Sequence, residues 1–175
     1  MVKPFADASE QNKAPIARIL QRYVEGRKRV LEIGSGTGQH AVYFASLWPW
    51  LQWQTSDLDD NHAAINAWIQ SAGLANVRPP LRLDVRTARV SENYDAVFSA
   101  NTAHIMGIDA VERMFALAAE ALRKGGIFCL YGPFLLNGQF TTVTNERFHH
   151  SLRTSNPDMG IRDLSELDLQ AEQHG

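Results

Sequence analysis

The stretch VLEIGSGTGQH, Val30 to His40, decides the fold of this chain. It begins with a short and mostly apolar run, which is typical of a buried strand. Glycines follow at every second position, Gly34, Gly36 and Gly38, and then an apolar pattern with helical spacing. A glycine-rich turn between a strand and a helix lets the backbone come close to a ligand. The stretch therefore predicts a ligand-binding turn, whose ligand is a dinucleotide, a nucleotide phosphate or another molecule.

Strand and helix patterns alternate along the rest of the chain. Strands are predicted at 29–33, 51–56, 80–85, 94–100 and 127–131. Helices are predicted from a first turn at Pro15 to Gly26, at 37–47, from Asp60 or Asn61 to Gly73, from Asp109 to 124–126, and at 163–174. This alternation predicts a doubly wound α/β domain, a mostly parallel sheet with helices on both faces. Ligands of such domains bind beyond the carboxyl ends of the strands.

Composition limits the classes of function. The 175 residues carry a net charge of −2, which suits one domain over 1–175 and gives no support for nucleic-acid or membrane binding. Cys129 is the single cysteine, so no internal disulfide is expected, as in a reducing compartment. No stretch has the apolar length of a secretory signal or a membrane span. A cytoplasmic protein is therefore the default expectation.

Two familiar ligands fit the glycine turn poorly. A P-loop needs Lys followed by Ser or Thr after its last glycine, and here Gln39 and His40 stand there. The dinucleotide fingerprint needs a third glycine at the position of Gln39, so that helix and strand can pack closely. The turn therefore favours a ligand without a dedicated phosphate site.

Acidic residues at three strand ends indicate a nucleoside. Glu32 precedes the turn, Asp57 follows the second strand, and Asp84 ends the third beside Val85. An acid after the second strand can accept hydrogen bonds from both ribose hydroxyls, while Val85 can cover an adenine face. Each residue alone is equally explained by a tight turn or a helix cap, but the combination predicts an adenosine site.

At these motifs the chain resembles the Rossmann-like S-adenosylmethionine-dependent methyltransferases. VLEIGSGTGQH, TSDLD and RLDV carry the resemblance, which spans roughly 29–134. It implies that S-adenosylmethionine is the cofactor, with Asp57 on the ribose hydroxyls, Leu58 on the adenine and Glu32 near the methionine amino group. The cofactor-binding residues expected on this basis are Glu32, Gly34, Ser35, Gly36, Gly38, Asp57, Leu58, Asp84 and Val85.

The flanking segments narrow the resemblance. SEQNKAPI, NTAHIMGIDAVERMF, LYGPFLLNG and SLRTSNPDMGIRDLSEL resemble the methyltransferase-like 26 (DUF938) family. That likeness implies a methyltransferase whose acceptor is not established, and a small molecule is the leading expectation. Within the single domain we expect an N-terminal helical cap (1–28), a cofactor-binding core (29–134) and a substrate-side loop with the last helix (135–175).

Catalytic candidates lie beyond strands four and five. Methyl transfer from a sulfonium is an in-line displacement, so the protein mainly aligns donor and acceptor, and a base matters only if the acceptor loses a proton. Asn101 could contact the methionine part of the cofactor, and His104 could act as a base or orient the acceptor. Tyr131 could present its hydroxyl to the substrate. The alternatives, a histidine that packs the loop and a structurally bonded tyrosine, stay open.

The segment 132–163 is predicted to be a long polar loop, and loops of this length are often lids. Its substrate-binding candidates are Asn145, Arg153 and Arg162. The two arginines could bind a carboxylate or phosphate bidentately, or could only fix the loop.

Two further expectations concern the N-terminus and metals. Asn12 and Lys13 are predicted to precede the first helix, where they either close over the cofactor, with Asn12 at the substrate site, or form an N-terminal cap. No metal is expected, because the adjacent His149 and His150 do not share a face and no cysteine or acid completes a zinc set.

No strand is predicted after the fifth, and this absence affects the expected oligomeric state and function. Methyltransferases of this kind usually end with an antiparallel strand pair beside strand five, and none is predicted here. Strand five would then be an exposed edge, which predicts either a homodimer that covers it or a truncated form of reduced stability. Three functional hypotheses are considered. The chain is a methyl-transferring enzyme, an inactive S-adenosylmethionine-binding regulatory or interaction protein, or a nicotinamide-dependent dehydrogenase, which Gln39 disfavours.

Overall fold

A five-stranded parallel sheet forms the centre of the protein, for which a computed structural model describes residues 3–90 and 93–175. Its strands are β1 Arg29–Glu32, β2 Gln52–Asp57, β3 Val77–Arg82, β4 Tyr94–Ala100 and β5 Leu122–Tyr131. The helices are α1 Asp7–Val24, α2 Gln39–Leu47, α3 Asp59–Ala72, α4 Ile108–Ala121, α5 Val143–Ser155 and α6 Leu164–His174. In the strand order β3-β2-β1-β4-β5, the strands after β1 are added first on one side of it and then on the other. This change of side at β1 confirms the predicted doubly wound α/β fold.

Two apolar cores lie on opposite faces of the sheet. On one face, α1 and α2 pack around aromatic side chains that include Phe44, Trp48 and Trp53. On the other face, α4 and α6 pack around Val97 and Met114. Because both faces are covered, the carboxyl ends of the strands are the place where the loops converge.

A second, small sheet follows the main one and contradicts the predicted long loop at 132–163. It contains β6 Phe134–Leu136, β7 Gln139–Phe140 and β8 Arg162–Asp163, and α5 lies between β7 and β8. β6 pairs antiparallel with β7 and parallel with β8. Since α5 has no buried residue, it lacks the apolar stripe from which a helix is predicted.

The first helix begins earlier than predicted. Asn12 and Lys13 lie inside α1 rather than before it, and Pro15 lies in its middle rather than in its first turn. The turns before Pro15 are held by contacts with α2, among them the hydrogen bond from the Ala6 amide to Gln39 Oε1 at 2.6 Å. Tertiary contacts therefore extend the helix beyond a proline that would otherwise end it.

The third strand lies three residues before its predicted position. The prolines of β3 are tolerated because it is an edge strand, and the pairing with β2 is irregular there. Side chains replace the missing ladder bonds: Gln54 Nε2 donates to the Pro79 carbonyl at 2.7 Å, and Thr55 Oγ1 donates to the Arg78 carbonyl at 2.8 Å.

Several predicted helix ends are also wrong by a few residues. The N-cap of α3 is Leu58 rather than Asp60 or Asn61, and the N-cap of α4 is Gly107 rather than Asp109. The chain leaves α4 at Ala121 and enters β5 directly, so the strand begins before the glycine pair that was predicted to end the helix. The predicted end of α3 at Gly73 is confirmed, with this glycine in the left-handed conformation.

Among the described residues, β5 pairs with β4 alone and forms an edge of the sheet. An apolar groove of about 460 Å³ runs beside it, bordered by the exposed side chains of Ile19 and Tyr23 on α1. The predicted homodimer would cover this edge, and light scattering after size exclusion tests it: a mass of twice the chain is expected, whereas a stable monomer would contradict it. No helix within 3–90 or 93–175 is long and apolar enough to cross a membrane.

Candidate functional site

The glycine turn is fastened to the end of β2. The amides of Gly34 and Ser35 both donate to the Ser56 carbonyl, at 3.1 and 2.9 Å, and the Gly38 amide donates to the Ser35 carbonyl at 2.8 Å. The φ angles of Gly34, Gly36 and Gly38 are 73°, 58° and 88°, the left-handed region that favours glycine. The turn is therefore a fixed part of the sheet edge.

The three glycines are required for different reasons. A Cβ at Gly34 would lie 2.5 Å from Thr102 Cγ2, and one at Gly38 would lie 3.1 Å from the backbone of Ile65. A Cβ at Gly36 would meet nothing within 4 Å. Gly34 and Gly38 thus allow parts of the protein to pack together, whereas Gly36 faces open space, where a ligand can approach the backbone.

Gly34→Ala is expected to destabilise the fold by about 2–4 kcal/mol, because it adds a steric clash to an unfavourable φ. Gly36→Ala meets only the φ penalty, about 1–2 kcal/mol. Thermal unfolding of both variants measures the difference. Thr102→Ser, which removes the clashing methyl group, should partly restore Gly34→Ala. Equal destabilisation by the two alanines would contradict the distinction.

Glu32 is a buried carboxyl at the end of β1, only 1% exposed. Its Oε2 accepts hydrogen bonds from Ser35 Oγ at 2.9 Å and from Trp53 Nε1 at 3.0 Å. Burial raises the pKa of Glu32 to about 7, the Asp57 carboxylate adds to the rise, and the two hydrogen bonds oppose it. A cationic ligand group beside this carboxyl would favour its charged form.

Asp57 links the end of β2 to the glycine turn. Its Oδ2 accepts from the Gly36 amide at 2.7 Å, and its Oδ1 accepts from the Leu58 amide at 2.7 Å and from Asn61 Nδ2 at 2.8 Å. A carboxylate offers about four lone-pair positions, so Oδ2 can accept one further donor, such as a hydroxyl.

The end of β3 lies beside Asp57, since the Leu83 amide donates to the Asp57 carbonyl at 2.9 Å. Asp84 follows, half-buried, with its Oδ1 accepting from the Arg86 amide. Val85 is buried, while Leu58 is 52% exposed. The ends of β2 and β3 thus lie side by side, and they carry Asp57, Leu58, Asp84 and Val85, which the sequence predicts for an adenosine site.

The loop after β4 closes the other side of the turn. Asn101 has a φ of 60° and its amide donates to the Tyr131 carbonyl at 2.8 Å. Ser99 Oγ donates to the Ile33 carbonyl at 2.7 Å and lies 2.6 Å from Thr102 Oγ1. These hydroxyls, which sequence reasoning did not identify, connect the ends of β1 and β4.

His104 lies farther along this loop and is 7% exposed. Its ring packs edge-on against Phe148 of α5, with centroids 5.1 Å apart, and a Cβ at Gly132 would lie 3.8 Å from its Nδ1. Burial lowers the pKa of His104 to about 4, and the Arg162 charge contributes. The imidazole is therefore neutral at pH 7. Tyr131, next to Gly132, is 38% exposed.

The guanidinium of Arg162 binds the backbone. Its Nε donates to the Ala103 carbonyl at 3.3 Å, and one terminal nitrogen donates to the Asp158 carbonyl at 2.6 Å and to the Met106 carbonyl. This arrangement matches the loop-fixing alternative for Arg162.

The other substrate candidates lie on α5. Asn145 is in its first turn, where its amide donates to Thr142 Oγ1 and its Nδ2 donates to Thr141 Oγ1. Arg153 is exposed in the last turn. The two lie eight positions apart on the helix, about 12 Å along the axis, so they do not act on one small group together.

Gln39 and His40 connect the N-terminal segment to α2, a role that sequence reasoning missed. Gln39 is 2% exposed, and its Oε1 accepts from Thr37 Oγ1 at 3.0 Å as well as from the amide of Ala6, the N-cap of α1. His40 Nε2 lies 2.7 Å from Asn12 Oδ1. The Asn12 side chain is thus engaged in holding α1 against α2. A glutamine in place of the fingerprint glycine was the one available signal.

The family described as "Protein of unknown function (DUF938)" matches residues 3–175. The chain belongs to this family. The predicted narrower resemblance is therefore confirmed.

Solved methyltransferases share the fold of this DUF938 chain. The S-adenosylmethionine-dependent methyltransferase SibL in its apo form matches with a TM-score of 0.80 and 20% identity, over 96% of this chain and 49% of SibL. An O-methyltransferase family protein from Burkholderia thailandensis matches with a TM-score of 0.78 and 16% identity, over 96% and 54%. Human N-acetylserotonin methyltransferase in complex with S-adenosylmethionine matches with a TM-score of 0.80 and 12% identity, over 97% and 47%. The chain thus spans about half the length of these proteins.

Proposed function

We propose that this DUF938 protein binds S-adenosylmethionine and transfers its methyl group to a small-molecule acceptor. The observation that carries the proposal is the pairing of Asp57 with Gly36: a carboxylate with spare accepting capacity lies 2.7 Å from the amide of a glycine that faces open space. This pair suits a ribose, one hydroxyl of which can donate to Asp57 Oδ2.

The neighbouring groups suit the rest of the molecule. Leu58 and Val85 offer apolar surface to an adenine, and Asp84 offers an acceptor for its amino group. Glu32 would hold the methionine amino group, with Asn101 near the same end. Bound there, S-adenosylmethionine supplies a methyl group already activated by its sulfonium sulfur. The protein's share of the chemistry is to align the acceptor and to exclude water.

The solved methyltransferases share the fold of this chain at 12–20% identity, and human N-acetylserotonin methyltransferase is described in complex with S-adenosylmethionine. The proposed methyl transfer is consistent with this shared fold.

Calorimetric titration with S-adenosylmethionine, S-adenosylhomocysteine and NAD tests the proposal. Micromolar binding of the first two and none of NAD is expected, followed by release of S-adenosylhomocysteine once an acceptor is supplied. Preference for NAD would favour the dehydrogenase. Binding of S-adenosylmethionine without turnover across a broad acceptor screen would favour the inactive regulatory or interaction protein. A folded protein that binds neither sulfur nucleoside would contradict the proposal.

A further inference from the structure

The imidazole of His104 is free to form a hydrogen bond with the molecule that receives the methyl group. Although His104 is 7% exposed, no hydrogen bond to its imidazole occurs within residues 3–90 and 93–175, while its carbonyl accepts from the Gly160 amide. The ring nitrogens are not among the fully buried, unpartnered side-chain atoms of these residues, so they can be reached from solvent. Because burial keeps the ring neutral, one of its nitrogens is an acceptor.

The charged group that acts on His104 is the guanidinium of Arg162, which adds to the effect of burial in lowering the pKa of the imidazole. This guanidinium donates to three backbone carbonyls. A ligand ammonium at His104 would be repelled by the same charge. A ligand carboxylate there would lose its hydration and would compete for N–H groups that already have partners, which is costly.

An aromatic side chain that is partly open to solvent contacts His104. Phe148 packs its ring against the imidazole and is 39% exposed. Gly132, which precedes Phe134 and follows Tyr131 in the chain, faces His104 Nδ1 without a side chain. A partly exposed aromatic ring in contact with a polar group is typical of small-molecule sites, where a few polar groups fix the orientation.

We propose that the methyl acceptor is an uncharged aromatic hydroxyl compound whose O–H donates to the imidazole of His104, with its ring against Phe148. This inference rests on the proposed function and specifies its substrate. Arg162 then acts as a positioning residue, because it fixes the carbonyls on either side of His104.

The step balances without any further reactant. The O–CH₃ bond forms as the S–CH₃ bond breaks, the sulfur keeps the electron pair, and the hydroxyl proton passes to His104. One positive charge disappears from the sulfur and one appears on the imidazole, so the net charge of the site is unchanged. This charge balance allows a histidine of low pKa to accept the proton, since the neighbouring cation is lost in the same step.

Three probes of one shape test the inference: 2-naphthol, 2-naphthoate and 2-naphthylmethylammonium, each titrated into protein saturated with S-adenosylhomocysteine. Ligand-observed NMR gives the affinities, and ¹⁵N shifts of the histidine rings report on His104. We expect naphthol to bind at least tenfold more tightly than either charged probe and to move the His104 resonances. Naphthol affinity should fall at least tenfold in His104→Leu and Phe148→Ala, be partly kept in His104→Gln, and be unchanged in the control His150→Gln.

Equal or tighter binding of a charged probe, binding of naphthol without a His104 shift, or binding of none of the three at millimolar concentration would overturn the inference. Saturation with S-adenosylhomocysteine is measured first in the same samples. If that ligand binds and naphthol does not, the substrate class is wrong while the cofactor proposal stands. If S-adenosylhomocysteine does not bind, the proposed function itself fails.

Discussion

Asp57→Ala is expected to weaken the binding of S-adenosylmethionine and S-adenosylhomocysteine by about 10- to 100-fold. Asp57 Oδ2 can accept one ribose hydroxyl, and a hydrogen bond to a charged group contributes about 1.5–3 kcal/mol. This contribution corresponds to about one to two orders of magnitude in the dissociation constant. Calorimetric titration of the variant measures the loss directly.

The variant also removes a structural acceptor, and this effect has to be separated. Asp57 accepts from Gly36, Leu58 and Asn61 in the unliganded protein, so Asp57→Ala should lower the stability by about 1–3 kcal/mol. Asn61→Ala removes one of these contacts and keeps the carboxylate, and should therefore lose stability with little loss of ligand affinity.

A matched acidic control lies two residues away. Asp59 is exposed and pairs with Arg82 at 3.1 Å, and such surface pairs contribute little. Asp59→Ala removes the same charge from the same region and should leave binding within about twofold. If Asp57→Ala and Asp59→Ala bind the sulfur nucleosides equally well, the ribose assignment is wrong.

The parts of the fold that were predictable are those with local patterns. β1, α2 and β4 are short apolar segments between turn residues, and their predicted limits agree with the structure to within two residues. The start of α1 was not predictable in this way, because contacts of Gln39 and His40 with residues far away in sequence hold its first turns. α5 was missed since it buries nothing.

The site follows the same division. Strand ends placed Glu32, Asp57 and Asp84 at one edge, because in a parallel sheet all carboxyl ends meet there. Gly34 needs to be a glycine because Thr102, from another loop, packs against it, and no sequence pattern predicts this contact. Likewise, Arg162 donates to three backbone carbonyls. Every residue has a backbone carbonyl, so the sequence does not show which of them an arginine contacts.

Glu32→Gln is expected to make the protein more stable than the wild type at pH 8, by about 3 kcal/mol. The pKa of Glu32 is about 7 in the folded protein, mainly because of burial, against 4.5 for the ordinary group, and each unit corresponds to about 1.4 kcal/mol. Between these two values the folded chain holds a proton that the unfolded chain has lost. Wild-type stability from this group is therefore complete below pH 4.5 and is lost as the pH rises through 7.

Denaturant unfolding at pH 5, 6, 7 and 8 measures the difference between the two proteins. Glutamine keeps an oxygen for the donors Ser35 and Trp53 and has no charge to bury. His40 and His104 have pKa values lowered to about 4, chiefly by burial, so they destabilise the fold as the pH falls from 6.5. Both proteins contain them, and their effect cancels in the comparison. Glu112→Gln on the exposed side of α4 should show no such divergence.

The same variant tests the ligand. A cationic methionine amino group binds the charged form of Glu32, so wild-type affinity for S-adenosylmethionine should rise about tenfold per pH unit from 5 to 7 and then level off. In Glu32→Gln the affinity should be weaker at pH 8 and nearly independent of pH. If the stabilities of the two proteins diverge but binding does not depend on pH, Glu32 is a buried protonated carboxyl that does not contact the ligand. The absence of both would show that Glu32 is already ionised in the folded protein, stabilised by Ser35 and Trp53 alone.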